Sequence, residues 1–400
     1  MKRRTVVIIA GTLAAVIAGF GIYLTDPSNE EVERLKAEVR KRGMMVEFAD
    51  LPISEVDIGV DEAAALSVFE IKALTSIKLE EAEIADVRKV VATLEPHFAK
   101  VAAFANLGRY APKRVWKAGM STQDYADIRL AAKAVYAKGL VQICDGQLEG
   151  VISSLKLLNK ISQRSLDELP NRGNFAFSFA SRYHRRLISR TADRYTGSST
   201  ILDQLDNLTR ESPTVDRRKG LELLLMDQLA YVDMFERGEV SQEITDLGLV
   251  EVDVSRNPRY IGKLRTTIPQ MVIDFHDEWD QLEPERSSTF LPENGDFLTH
   301  LPNVMRDSAA HARKSDLDEK AEIAALKLKI DAYKSHIKTG KWPTIDELAK
   351  SGANTIDPFT KQPFTMTTRN GHVEVLAERH NPRSLTPDAT TVVAVLFPPY

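Results

Sequence analysis

The chain opens on an unbroken apolar run, Thr5 to Leu24 (TVVIIAGTLAAVIAGFGIYL), which carries no charge and follows Lys2, Arg3 and Arg4. At 1.5 Å rise per residue, roughly 20 residues cover about 30 Å, the thickness of a bilayer core. The run therefore reads as a transmembrane helix. The basic cluster before it, with Asp26, Glu30 and Glu31 after it, predicts a cytoplasmic N-terminus and an exported body. A cleaved signal peptide is the alternative, with Val16-Ile17-Ala18 at the cleavage offsets; continuation of the run through Phe20, Ile22, Tyr23 and Leu24 favours a retained anchor. Small residues recur every fourth position at Ala10/Ala14/Ala18 and Gly11/Ala15/Gly19. Such spacing permits close helix–helix approach, so Gly11, Ala15 and Gly19 are the expected face of any self-association in the membrane.

Past Asp26-Pro27 the period becomes helical. Ser28 with Glu31 forms a capping-box pattern, Val32, Leu35 and Val39 supply a short stripe, and Gly43 is the stop. Met44 to Val60, with Pro52, reads as an extended connector. From Asp61 to about Glu283 the pattern is overwhelmingly helical. Expected helices open at Asp61 and run from Ala85 to Ala105 with a break at Pro96. Others run from Ser121 to Ile143, from Leu148 onward, from Asn174 to Tyr195, Ser199 to Glu211, Val215 to Arg237 and Ile268 to Leu282. Asp145-Gly146 between two periodic segments predicts an antiparallel helix pair. The polar stretch from Ser287 to Gly295 marks a boundary, and Ser315 opens a last long helix with Ile323, Leu326, Ile330, Tyr333 and Ile337 on one face, stopped by Gly340. A short helix, Ile345 to Lys350, follows.

Beyond that helix the period falls to two. Phe364 to Arg369 and His372 to Leu376 flank Asn370-Gly371, the pair that best accepts positive φ at both turn positions, and Val392 to Phe397 reads as a third strand. The expected fold is mainly α. A basic tip and anchor (1–27) leads to a juxtamembrane helix and connector (28–60), a helical domain of antiparallel pairs (61–286) and a small α+β module (287–400).

Two resemblances follow from these residues. The last helix, Gly340-Lys341-Trp342-Pro343-Thr344-x-x-x-Leu348 and Asp357-Pro358-Phe359-x-x-x-Pro363-Phe364 resemble the C-terminal module of type II secretion pseudopilins. Trp342 stands where that family has Tyr, one extra residue separates the last two elements, and the pseudopilin cleavage site is missing, which implies a borrowed structural module. By analogy Asp357 is a calcium-ligand candidate there, with a turn cap at Pro358 as the competing role. The whole chain is similar to a group of uncharacterised bacterial single-anchor helical proteins, a resemblance that implies no activity. The segment ICDGQLEGVISSLKLL resembles one tetratricopeptide turn and helix, without further copies.

Composition narrows the chemistry. The formal charge of −4 is spread without a basic tail, which removes support for nucleic-acid binding. Cys144 is the only cysteine, so no intrachain disulfide can form, and its apolar surroundings predict a buried inert thiol. Serine-nucleophile elbows and glycine-rich phosphate loops are absent from the sequence. His276 and Asp280 form the only i, i+4 pair in His276-Asp277-Glu278, and a solvated helix face is the expected reading, so no metal or cofactor is predicted. The one local charge bias is Arg182, Arg185, Arg186, Arg190 and Arg194, with His184, Tyr183 and Tyr195 interleaved; it is the candidate surface for an acidic partner or lipid head groups. The expected function is a membrane-anchored, exported, non-enzymatic scaffold or interaction protein with a protein partner in the envelope, beside a secretion or pilus-like assembly. An envelope hydrolase with a site built from distant residues and a tetratricopeptide-like peptide binder are the alternatives.

Overall fold

The computed structural model describes residues 29–47, 50, 56–113, 123–167, 173–236, 258–282, 297–380 and 390–394. The expected anchor, its Gly11, Ala15 and Gly19 stripe, and the Ser287–Gly295 boundary lie outside the described residues. Among the described residues no helix is long and apolar enough to cross a membrane. The fold is mainly helical, with a small antiparallel sheet near the C-terminus.

The helices are α1 (Asn29–Lys41), α2 (Val60–Ala64), α3 (Lys72–Ser76), α4 (Ile84–Leu94), α5 (Phe98–Ala105), α6 (Gln123–Cys144), α7 (Leu148–Ser165), α8 (Gly173–Arg194), α9 (Ser199–Arg210), α10 (Gly220–Glu236), α11 (Pro258–Asp277), α12 (Phe297–Thr339) and α13 (Ile345–Lys350). The expected helix from Ala85 to Ala105 is split by a 3-10 turn at Glu95–His97, where Pro96 has no N–H to donate. Two boundaries differ from the sequence reading by more. α11 begins at Pro258, ahead of the expected start at Ile268, and carries Pro269 in its interior. α12 begins at Phe297, well before Ser315, and Ile337 on its predicted apolar face is exposed.

The described chain forms two compact units, and these do not follow the linear division at 286 and 287. One unit gathers α1, α10, α11 and α12 up to His311. In it Val32, Leu35 and Val39 of α1 are buried, α11 packs on both α1 and α10, and Arg42 grips Asp277 through Nε–Oδ1 (2.9 Å) and Nη2–Oδ2 (2.7 Å).

The other unit takes residues 53–115, 121–217 and 312–400. Its centre is the mutual packing of α6, α7 and α8. α6 is buried on nearly every face, with Ile128, Ala132, Val135, Tyr136 and Ala137 fully enclosed. The helix of residues 312–339 and the sheet belong to this unit, because α12 is bonded to α8 by buried charges. Arg185 meets Glu322 at 2.7 Å and Lys329 meets Asp193 at 2.7 Å, and Arg217, in the turn before α10, adds a pair to Glu319 at 2.9 Å. The sheet has the order β1 (Thr365–Arg369), β2 (His372–His380), β3 (Thr390–Ala394), all antiparallel. Arg369 pairs with His372 across Asn370 (φ 51°) and Gly371 (φ 78°), the two-residue turn the sequence predicts. In the preceding loop Asp357 is fully buried and accepts hydrogen bonds from Phe359 N, Thr360 N and Thr360 Oγ1, so its carboxylate caps the turn.

Gly139 sets the closest approach in the three-helix centre. A Cβ there would stand 2.5 Å from Leu187 Cδ2, and Leu187 is itself fully buried. Overpacking of this kind costs about 1–3 kcal/mol and outweighs the ~1 kcal/mol of helix propensity gained from alanine. Gly139→Ala should lose up to about 2 kcal/mol in urea unfolding; increased stability would show that α8 gives way freely.

Candidate functional site

The arginine run that the sequence marks as a surface is largely internal. In α8, spacing of three and four puts Arg182, Arg185, Arg186 and Arg190 along neighbouring rows. Arg185 is 3 % exposed and is held by Glu319 and Glu322. Arg190 is 8 % exposed and shares Glu80 with Arg186, at 3.2 and 3.1 Å. Arg182 reaches Glu322 at 3.5 Å from a partly exposed position. Of the five, only Arg194 is exposed without an ion-pair partner among the described residues. The candidate surface is thus corrected: its guanidinium groups pair with carboxylates from the 79–84 turn and from α12, and they fasten elements together.

Next to these pairs lies a half-open cleft of about 710 Å³. Its apolar wall is Ile84 and Val87 of α4 with Leu140 and Ile143 of α6. Glu80, Glu81 and Glu83 come from the turn before α4, Arg190, Asp193 and Arg194 from the end of α8, and His372 from the start of β2. Cys144, the last residue of α6, is exposed on this wall, so the buried thiol expected from its sequence neighbours is not found. It sits where α6 ends and solvent begins, beside the bidentate Arg88–Asp145 pair.

The polar groups below the cleft are bonded to one another. Glu80 accepts from Tyr136 (2.8 Å), Arg186 and Arg190, and burial pushes the Tyr136 phenol well above its ordinary range. Asp193 accepts from Lys329 (2.8 Å) and Tyr333 (2.5 Å). Lys329 also donates to Ser189, and Tyr333 takes a hydrogen bond from the Val373 N–H. Burial lowers the Lys329 pKa despite the pull of Asp193, and burial, followed by the same carboxylate, raises that of Tyr333. His372 Nδ1 lies 3.9 Å from Asp193 Oδ1, too far for a hydrogen bond.

Sequence reading missed this cleft because its walls come from four separate stretches of the chain, at 80–87, 140–144, 190–196 and 372, and no local motif joins them. The complementary spacings of Arg182/Arg185 and Glu319/Glu322, each i, i+3, were the available signal for the pairing of α8 with α12. His276 and Asp277 hydrogen-bond side by side and Asp277 is occupied by Arg42; among the described residues no group of three or more His, Cys, Asp or Glu is placed to hold a metal ion. Compared with family models, with curated proteins and with solved structures, the chain matches none.

His184, also in α8, is fully enclosed, with Ser212 Oγ 3.1 Å from Nδ1. Ser212 donates its own proton to the Leu208 carbonyl, so Nδ1–H donates to Ser212 and Nε2 is left without a bonded partner. Burial, then the neighbouring Arg185, pushes this imidazole down to about 3 from the ordinary 6.5. Between those values the unfolded chain holds a proton that the folded chain refuses, so stability declines as pH falls through that window, by up to about 1.4 kcal/mol per pH unit. His184→Gln should flatten the pH dependence of urea unfolding below pH 6.5 relative to wild type; parallel curves would show that the folded imidazole titrates normally.

Proposed function

We propose that the chain is a membrane-anchored, exported binding protein, and that the cleft between α4, α6, the end of α8 and β2 is where its ligand sits. The observation that carries this is the pairing of an apolar wall with ionisable groups that are already bonded to each other. Glu80 is neutralised by Arg186 and Arg190, and Asp193 by Lys329, before any ligand arrives. Such a surface is preformed and selective, and its volume falls in the range of small-ligand sites, roughly 300–1,000 Å³. The anchor reading rests on Thr5 to Leu24 and the flanking charges. Its kinship in pattern with the pseudopilin C-terminal module, through Gly340 to Thr344 and Asp357 to Phe364, keeps a place beside a secretion or pilus-like assembly as part of the proposal. A tetratricopeptide-like groove has less in its favour, since both faces of α6 are packed.

A thiol hydrolase is the second reading, favoured by one observation: Cys144 and His372 share the cleft wall, and Asp193 lies beyond the histidine. It ranks lower because Asp193 spends its oxygens on Lys329 and Tyr333 and does not orient the imidazole.

The test is a thermal-shift screen of small ligands on the anchored protein in detergent, repeated with Ile84→Trp and Cys144→Ala. Ligands that stabilise the wild type should lose their effect with Ile84→Trp, which fills the cleft, and keep it with Cys144→Ala. Stabilisation that survives Ile84→Trp would place binding elsewhere. A hydrolytic activity abolished by Cys144→Ala would replace this reading with the second.

A further inference from the structure

Of the charges lining the cleft, most have partners. Glu80 and Asp193 are neutralised as described, Arg190 belongs to Glu80, and Glu81 pairs with Lys78 at 3.2 Å. Two remain exposed with no ion-pair partner among the described residues, and they have opposite signs: Arg194 and Glu83. The same cleft is lined by the apolar side chains of Ile84, Val87, Leu140 and Ile143, with Thr196 and His372 as hydrogen-bonding groups.

From this charge pattern we infer that the cleft takes a short peptide with free termini and apolar side chains, its carboxylate on Arg194 and its ammonium on Glu83. The inference rests on the cleft being the binding site. A guanidinium meets a carboxylate through two parallel hydrogen bonds, and a carboxylate meets an ammonium through charge-assisted ones. A ligand with a single charge, such as an alkyl acid, would satisfy Arg194 and leave Glu83 facing hydrocarbon, at a desolvation cost. Thr196 and His372 offer the donors and acceptors that peptide amides need, which an alkyl chain would leave unused. The two charges also complement the ends of their own helices, since Glu83 precedes the N-terminus of α4 and Arg194 ends α8. A contribution to folding from that source is modest, so the discriminating readout is binding.

The experiment uses the full chain in detergent with four probes: trileucine, trileucine amide, acetyl-trileucine and decanoate. Affinity is read by calorimetry, and occupancy by protection of Cys144, the only cysteine, from maleimide labelling. Trileucine should bind and slow labelling, and capping either terminus should weaken binding by about tenfold or more. Arg194→Gln should erase the penalty for amidation alone, and Glu83→Gln the penalty for acetylation alone. Equal binding of capped and free peptides, or protection by decanoate without protection by trileucine, would overturn the peptide inference and leave the cleft reading standing. If no probe protects Cys144 and no compound from the thermal-shift screen does so, the cleft reading fails and takes this one with it.

Discussion

Asp193 is the residue on which the larger unit depends. It projects from the last turn of α8, is 6 % exposed, and accepts from Lys329 and Tyr333 of α12. Tyr333 in turn receives the Val373 N–H of β2, so one carboxylate links helix, helix and sheet. A buried ion pair contributes little net stability over an apolar replacement, but removing one partner leaves a charge without compensation and costs about 3–5 kcal/mol. The arrangement therefore acts more as a register than as a source of stability. Lys329 and Tyr333 sit one helical turn apart, and only one rotation and height of α12 brings both to Asp193. Arg185 with Glu322 and Arg217 with Glu319 repeat the constraint further along the same helix.

That constraint also shapes the cleft. The arginines of α8 that look available in sequence are drawn toward Glu80, Glu319 and Glu322, and the exposed charges left in the cleft lining without an ion-pair partner among the described residues are Arg194 and Glu83. Beside a run that reads as a local basic bias in sequence lies a cleft with an apolar wall and two unpaired charges of opposite sign in its lining. Selectivity in such a site arises from matching separated charges and amide groups together, because any one of them left unpaired on binding opposes association.

Much of the local structure was legible. Asn370-Gly371 places the hairpin and its register, Asp145-Gly146 separates α6 from α7, and Asp357 caps the turn ahead of Pro358, because each depends on interactions a few residues apart. The failures have a common physical cause. Arg185 and Arg190 read as solvated because their counter-charges come from distant segments, and a helix read alone does not reveal what covers its polar face. Cys144 sits in an apolar run but at the final residue of α6, where burial ends. The division of the chain at 286 failed for the same reason: residues 312–339 look like the stalk of a separate module, yet Glu319, Glu322, Lys329 and Tyr333 are the complements of α8. In α11 Pro269 sits inside the helix, and packing against α1 and α10 outweighs its local cost.

Joined through Asp193, α8, the later part of α12 and the sheet form one cooperative body. Native-state hydrogen exchange under increasing denaturant tests it most directly, since it reports the opening free energy of each segment separately. Amides of Leu187–Asp193, Leu326–Tyr333 and Val373–Ala377 should merge into a single opening. If the sheet and α12 open at lower denaturant while α8 stays protected with α6 and α7, the buried pairs do not couple them and the claim is wrong.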